Sequence, residues 1–220
     1  MHSVQILGTS HISRQSISAI KTKIQEWHPD IVAVELDRYR LPHLFEPKKR
    51  SRIRDLPKLG LVGFLFNFVG GWLQRKLGEK VGLAPGADMR TAIRAAQQEN
   101  IPIALIDRPI TITLQRLSTE LTAWEKIKFV SYLIGGFVLP APKELGFDIR
   151  TIPEERIVTK LTFELRRTFP QFYRILVKER DAYMAEQIRN LVRVHPHKKI
   201  LVVVGAGHVR GLSMALRNLF

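Results

Sequence analysis

Two histidines each follow a glycine by three residues where an apolar run ends: Gly8 and His11 in "ILGTSH" (6–11), Gly205 and His208 in "VVVGAGH" (202–208). Two further apolar runs end in Glu35 ("IVAVEL", 31–36) and in Asp107-Arg108 ("IPIALIDR", 101–108). Neutral imidazoles and a carboxylate are good ligands for zinc, manganese, cobalt or iron. Coordination positions left open hold a water that loses its proton near neutral pH and becomes a nucleophile. His11, Glu35 and His208 are therefore a candidate metal set. A metal-free alternative uses one histidine as general base and an arginine as electrostatic stabiliser. A lone GxxH has a plain explanation, since the glycine can serve a tight turn and the histidine a helix start. Four strand ends of this kind carry more weight than either motif.

Those residues meet only if the elements bring them together. Val4–Leu7, Ile31–Leu36, Ile101–Ile106 and Ile200–Val204 are nearly continuous in apolar residues. Strands of a parallel sheet covered on both faces read this way, whereas half-exposed strands alternate. Ligands of open α/β sheets bind outside the carboxyl ends of the strands, which is where the four polar ends fall. Between the runs lie helical patterns. Ile17, Ile20, Ile24 and Trp27 recur at three- and four-residue steps. Residues 88–100 read as a helix, 109–117 as one opened by proline, and 124 onward as one reaching Gly135-Gly136. Further helices are expected over 153–168, 171–194 and 209–220. The expectation is one α/β domain over 1–220, with a mostly parallel central sheet flanked by helices. Residues 41–87 form a loop-rich helical insertion after the second strand.

In the 171–194 pattern, Tyr173, Val177, Met184, Ile188 and Leu191 share a stripe. Arg180 falls within it and Asp181 at its edge. A guanidinium on a buried face must be paired, so Arg180 either closes a structural bridge or holds a substrate carboxylate or oxyanion. Glu179 is expected to point away and to serve as a control.

Composition narrows the chemistry. The chain has 220 residues, a formal net charge of +15 and no cysteine, which excludes thiolate nucleophiles and Cys-type zinc sites. HExxH, GxSxG, Walker and Rossmann signatures are absent, as are recognisable nucleic-acid motifs. Between Arg38 and Lys80 eleven Lys/Arg face three acids (Glu46, Asp55, Glu79). "KKRSRIR" (48–54) directly precedes the apolar Leu59–Leu73, so 48–73 suits an anionic membrane surface or an acidic partner. That apolar stretch is 15 residues long, against about 20 needed to span a bilayer. With no signal-peptide pattern, the expectation is a cytoplasmic, membrane-associated chain.

Taken in order, "GTSH", "VELDRYR", "PGADMRTAI", "LIDRPITITLQR", "ERDAYMA" and "VVVGAGHVRGL" resemble the TraB family, from residue 6 to about 212. That family is grouped with the TIKI proteins and more distantly with erythromycin-esterase and ChaN-like proteins. The resemblance implies a parallel α/β core with Gly8/His11 and Gly205/His208 as paired GxxH motifs, Glu35 as the site glutamate and Arg180 as the arginine of "ERDxYMA". TIKI members are described as metal-dependent proteases and TraB members as acting in pheromone shutdown, so a metal-dependent peptidase is the leading expectation. In that reading His11, Glu35 and His208 hold the metal, Arg180 polarises the substrate carbonyl, and Asp107 and Arg108 orient the reacting groups. Asp88 and Arg116 join Arg180 as substrate contacts, although after "PGA" the family pattern has glutamate where this chain has Asp88. ChaN-like relatives, associated with iron or haem, imply the alternative of a non-catalytic peptide- or metal-binding regulator. Substrate, metal identity and oligomeric state stay open.

Overall fold

The computed structural model describes residues 3–9, 14–45, 86–138 and 155–217. Four strands form one sheet: β1 (Ser3–Thr9), β2 (Ile31–Val34), β3 (Ile103–Leu105) and β4 (Lys199–Gly205). Their spatial order is β1-β4-β2-β3 and every pair is parallel. Thr9 lies opposite Gly205, and Val34 lies opposite both Val203 and Leu105, so the carboxyl ends of all four strands share one edge.

Both faces of the sheet are covered, which is why its strands are apolar throughout. Ile31 and Ala33 of β2, with Ile200, Val202 and Val204 of β4, pack beneath α8 (Glu179–Val194) and α9 (Ala206–Ala215). The alternate residues Val32, Val34, Leu201 and Val203 face α1 (Arg14–Trp27) and α3 (Ala87–Gln98). Ile20 and Ile24 of α1 are fully buried there, as their spacing requires. A third cluster joins α4 (Ile110–Glu120) and α5 (Ala123–Val138) to Phe172 and Ile175. The remaining described helices are α2 (Arg40–Phe45), α6 (Glu155–Thr168) and α7 (Pro170–Tyr173). A π-helical turn, Arg174–Lys178, leads from α7 into α8.

Three boundaries depart from the sequence reading. β2 stops at Val34, where the Leu36 N–H turns back to the Val34 carbonyl (2.7 Å), so Glu35 and Leu36 of the expected run fall beyond the strand. The helix expected to end at Gly135-Gly136 continues to Val138, since glycine disfavours a helix interior without forbidding it. The stripe over 171–194 is shifted: Ile175, Met184, Ala185, Ile188 and Val192 are buried, and Tyr173 and Val177 are only partly so. Most of the expected insertion, including the basic and apolar stretch 48–73, lies outside the described residues.

Gly8, the glycine of "GTSH", is where β1 passes α9. A Cβ there would come within 2.7 Å of Val209 Cγ2. Gly8→Ala should therefore destabilise the fold by about 1–3 kcal/mol. Val209→Ala in the same chain should recover most of the loss in a urea-unfolding comparison. No recovery would mean that this contact is not the reason for the glycine.

Candidate functional site

Glu35 is the first residue past β2 and lies on the same side of the sheet as Ile31 and Ala33, under α8 and α9. It is 7% exposed. Its Oε2 accepts the Gly205 N–H at 2.6 Å, so the carboxylate sits at the N-terminus of α9, where the helix dipole favours negative charge. Its Oε1 pairs with Arg180 Nη2 and lies 3.4 Å from His208 Nε2. His208, on the first turn of α9, is held from its other nitrogen: Nδ1 is 2.6 Å from Asp181 Oδ1.

Arg180 projects from α8 into the strand ends. Its Nε and Nη2 donate to Asp107 Oδ1 and Oδ2 at 3.0 and 2.7 Å, a bidentate grip, while Nη2 also meets Glu35. Asp107 in turn pairs with Arg40, which also binds Asp37 at 2.6 Å. One connected chain of side chains thus runs Asp37, Arg40, Asp107, Arg180, Glu35, His208, Asp181.

A second cluster stands back to back with the first, one residue away on both chain segments. Arg108 Nη1 donates to Glu179 Oε2 at 2.9 Å. Asp107-Arg108 and Glu179-Arg180 therefore cross-pair, acid to base in both directions. Glu179 is correspondingly not the outward-pointing control that the helical stripe suggested: it also takes Arg116 Nη2 at 3.0 Å. The π turn completes this arrangement. The Glu179 N–H bonds to the Arg174 carbonyl, which frees the Ile175 carbonyl from its usual helical partner. That carbonyl accepts Arg108 Nη2 at 3.1 Å, and the Leu176 carbonyl accepts Arg180 Nη1 at 3.3 Å.

Of the residues singled out from sequence, Glu35, Asp107, Arg180 and His208 come together in the first cluster. Arg108 and Arg116 belong to the second, Arg116 being paired with Glu120 and Glu179. Asp88 is buried between the end of β1 and α3, where its Oδ2 accepts the Thr9 hydroxyl at 2.5 Å and its Oδ1 the Met89 N–H at 2.8 Å. His11 lies outside the described residues. The sequence reading assigned no role to Arg40 or to the Asp181–His208 pair. Arg40 carries no sequence signal beyond following a strand end, whereas the buried-edge position of Asp181 was already visible.

Protonation follows from this packing. Burial disfavours charge on Arg180, but Glu35 and Asp107 outweigh it and push its pKa further up. Burial raises the Asp181 carboxyl, with His208 pulling the other way. For His208, burial would lower the pKa, but the Glu35 charge and the hydrogen bonds to Asp181 and Glu35 prevail over it and over Arg180, raising it from 6.5 to about 9. A cation whose folded pKa exceeds its unfolded one stabilises the fold below the unfolded value and loses that contribution as pH rises through the folded one. The metal-free protein should therefore lose stability between about pH 6.5 and 9, on the order of 3 kcal/mol. His208→Gln should flatten that segment of a Tm-versus-pH curve. An equal slope in both proteins would count against the assignment.

Among the described residues the connected chain holds four carboxylates (Glu35, Asp37, Asp107, Asp181) against two guanidiniums (Arg40, Arg180). With His208 protonated the deficit is one positive charge, and a divalent cation that displaced that proton would balance the cluster. The donor chemistry fits as well, because an imidazole whose far nitrogen is held by a carboxylate is a common form of metal-bound histidine. His208 Nε2 and Glu35 Oε1 are the two adjacent donors. No group of three or more metal-ligating side chains occurs among the described residues.

The TraB/PrgY/gumN family model matches residues 2–219, nearly the whole chain. The chain belongs to the TraB/PrgY/gumN family. An uncharacterized protein of Methanocaldococcus jannaschii is 35% identical over 98% of this chain. The mouse TraB domain-containing protein is 29% identical and the human one 27%, each over 96% of it. This TraB-family chain spans 54% of the archaeal relative's length and 61% of the mammalian ones. Among its described residues no helix is long and apolar enough to cross a membrane.

Proposed function

We propose that this TraB-family domain is a metal-dependent hydrolase acting on peptides, with its reaction centre at the carboxyl edge of the sheet. The observation that carries the reading is His208, held by Asp181 on one nitrogen and turned to Glu35 with the other, in a cluster where carboxylates outnumber guanidiniums four to two. His208 and Glu35 would hold the metal, with His11 as the third ligand. The ion, when bound, supplies Lewis acidity and a water of lowered pKa. Asp181 fixes the His208 ring. Arg180, anchored on Asp107, sets the position of Glu35 and brings positive charge to where a substrate oxyanion would develop. Asp107 and Arg108, cross-paired with Arg180 and Glu179, keep that guanidinium in place.

The test is metal analysis of the purified protein, then peptide-library cleavage by the parent and by His11→Ala, Glu35→Gln and His208→Ala. Metal-dependent cleavage lost in all three variants is expected. Cleavage unchanged in all three overturns the reading. A second reading, capture of a peptide or metal without turnover, draws on the fact that both Glu35 oxygens are already engaged, by Arg180 and by the Gly205 N–H. Ligand retained by the parent, lost in the variants and never cleaved would select it. Binding of 48–73 to an anionic surface is a separate proposal, resting on charge and composition. Absence of binding to anionic liposomes at low salt would end it.

A further inference from the structure

His208 and Gly211 stand three residues apart on α9, so they share a face. That face meets Asp181 of α8. One carboxylate oxygen, Oδ1, takes His208 Nδ1 at 2.6 Å. The other rests on Gly211: a Cβ built there would lie 2.0 Å from Asp181 Oδ2 and 2.7 Å from its Cγ. No rearrangement of a few tenths of an ångström accommodates that, so the carboxylate occupies space that any side chain at 211 would need.

We infer that Asp181 is a positioning residue whose carboxylate is seated in a slot made by Gly211, and that this seat fixes His208 as the Nδ1–H form with Nε2 directed at Glu35. The inference rests on the proposed function for its purpose but not for its geometry. Two segments that sequence alone leaves unrelated, "ERDAYMA" and "GHVRG", are halves of one device. A neutral imidazole has two tautomers, and only one presents a bare Nε2 towards Glu35. Both ring nitrogens face a carboxylate, and the nearer acceptor, Asp181 Oδ1 at 2.6 Å against Glu35 Oε1 at 3.4 Å, takes the single proton. The seat defines where that acceptor stands, because Oδ2 on the glycine surface leaves Oδ1 facing the ring.

The ¹⁵N shifts of the His208 ring, followed in the metal-free protein to the alkaline end of its titration, test this directly. The parent should show a protonated Nδ1 and a bare Nε2. Asp181→Ala should give a mixture of tautomers, and Asp181→Asn, whose amide oxygen can still accept, should restore the parent pattern. Gly211→Ala should reproduce Asp181→Ala, and adding it to Asp181→Ala should change nothing more, because the clash has gone. Should Gly211→Ala alone not fold, recovery of folding in the Gly211→Ala/Asp181→Ala double variant supports the seat and its absence overturns it. Cobalt(II) titration gives the second readout, with affinity falling about 10- to 100-fold in Asp181→Ala and Gly211→Ala. A parent ring bearing its proton on Nε2, or ring shifts unmoved by Gly211→Ala, overturns the inference. A parent that binds no cobalt counts against the metal reading instead and leaves the ring measurement to decide the seat.

Discussion

Replacing Arg180 with methionine is expected to destabilise the protein by about 3–5 kcal/mol at neutral pH, and by less as the pH falls. The guanidinium is the cation between Glu35 and Asp107, whose side chains are 5% and 2% exposed. Removing it leaves Asp107 with Arg40 and Glu35 with His208 and the Gly205 N–H, and a half-broken buried pair costs more than the intact pair contributes. Protonation relieves stranded carboxylates, so the deficit against the parent should shrink on going from about pH 7.5 to 5.5, the reverse of a simple acid-denaturation trend. Urea melts of both proteins at the two pH values provide the check. A pH-independent difference below about 1 kcal/mol would mean that Arg180 is not the buried counter-ion drawn here.

Glu179→Ala should cost about 3 kcal/mol, although its place on the helical stripe suggested a neutral control. Arg108 is 9% exposed at its side chain and its acidic partner is Glu179. Losing that partner leaves a buried guanidinium held only by the Thr113 hydroxyl and the Ile175 carbonyl. Arg108→Met should cost less, because Glu179 keeps Arg116 at 3.0 Å and Arg174 at 3.7 Å. The double variant should be milder than the sum of the two, since neither charge is then stranded. Chemical denaturation of the four proteins closes the cycle; a Glu179→Ala protein within about 0.5 kcal/mol of the parent would refute the pairing.

How legible this was in the sequence depended on what set each feature. The four strands were visible because coverage on both faces leaves no reason for a polar residue inside them, and Glu35 was visible because it interrupts such a run. The order of the strands was not, since parallel pairing depends on crossovers whose geometry no local pattern encodes. Arg180 stood out as a charge in an apolar stripe, and that signal pointed to a real buried pair. Glu179 was misjudged for a related reason. A helical wheel allows one buried face, but α8 begins beside a π turn and meets α4 there as well, so its first turn is enclosed on two sides. The π turn left no trace in residue types, because one extra residue per turn alters hydrogen bonding without altering composition. The slot at Gly211 was invisible too: a glycine in a helix reads as a weakness until its neighbour's carboxylate is placed against it.

The sheet order has a consequence in time. β4, the last of the four strands along the chain, lies between β1 and β2, which do not touch each other as strands. A ribosome therefore releases β1, β2 and β3 before the strand that joins them exists. The earlier segments can form helices and a β2–β3 pair, but Ser3 waits for Lys199. Long-range pairing of this kind is slow and leaves unpaired edges exposed to other chains. It also makes Gly205 and His208 later to arrive than the other strand ends, so Glu35 has neither its backbone donor nor its imidazole until synthesis has passed them. The cluster at the strand ends therefore cannot assemble until β4 has been made and has paired with β1 and β2.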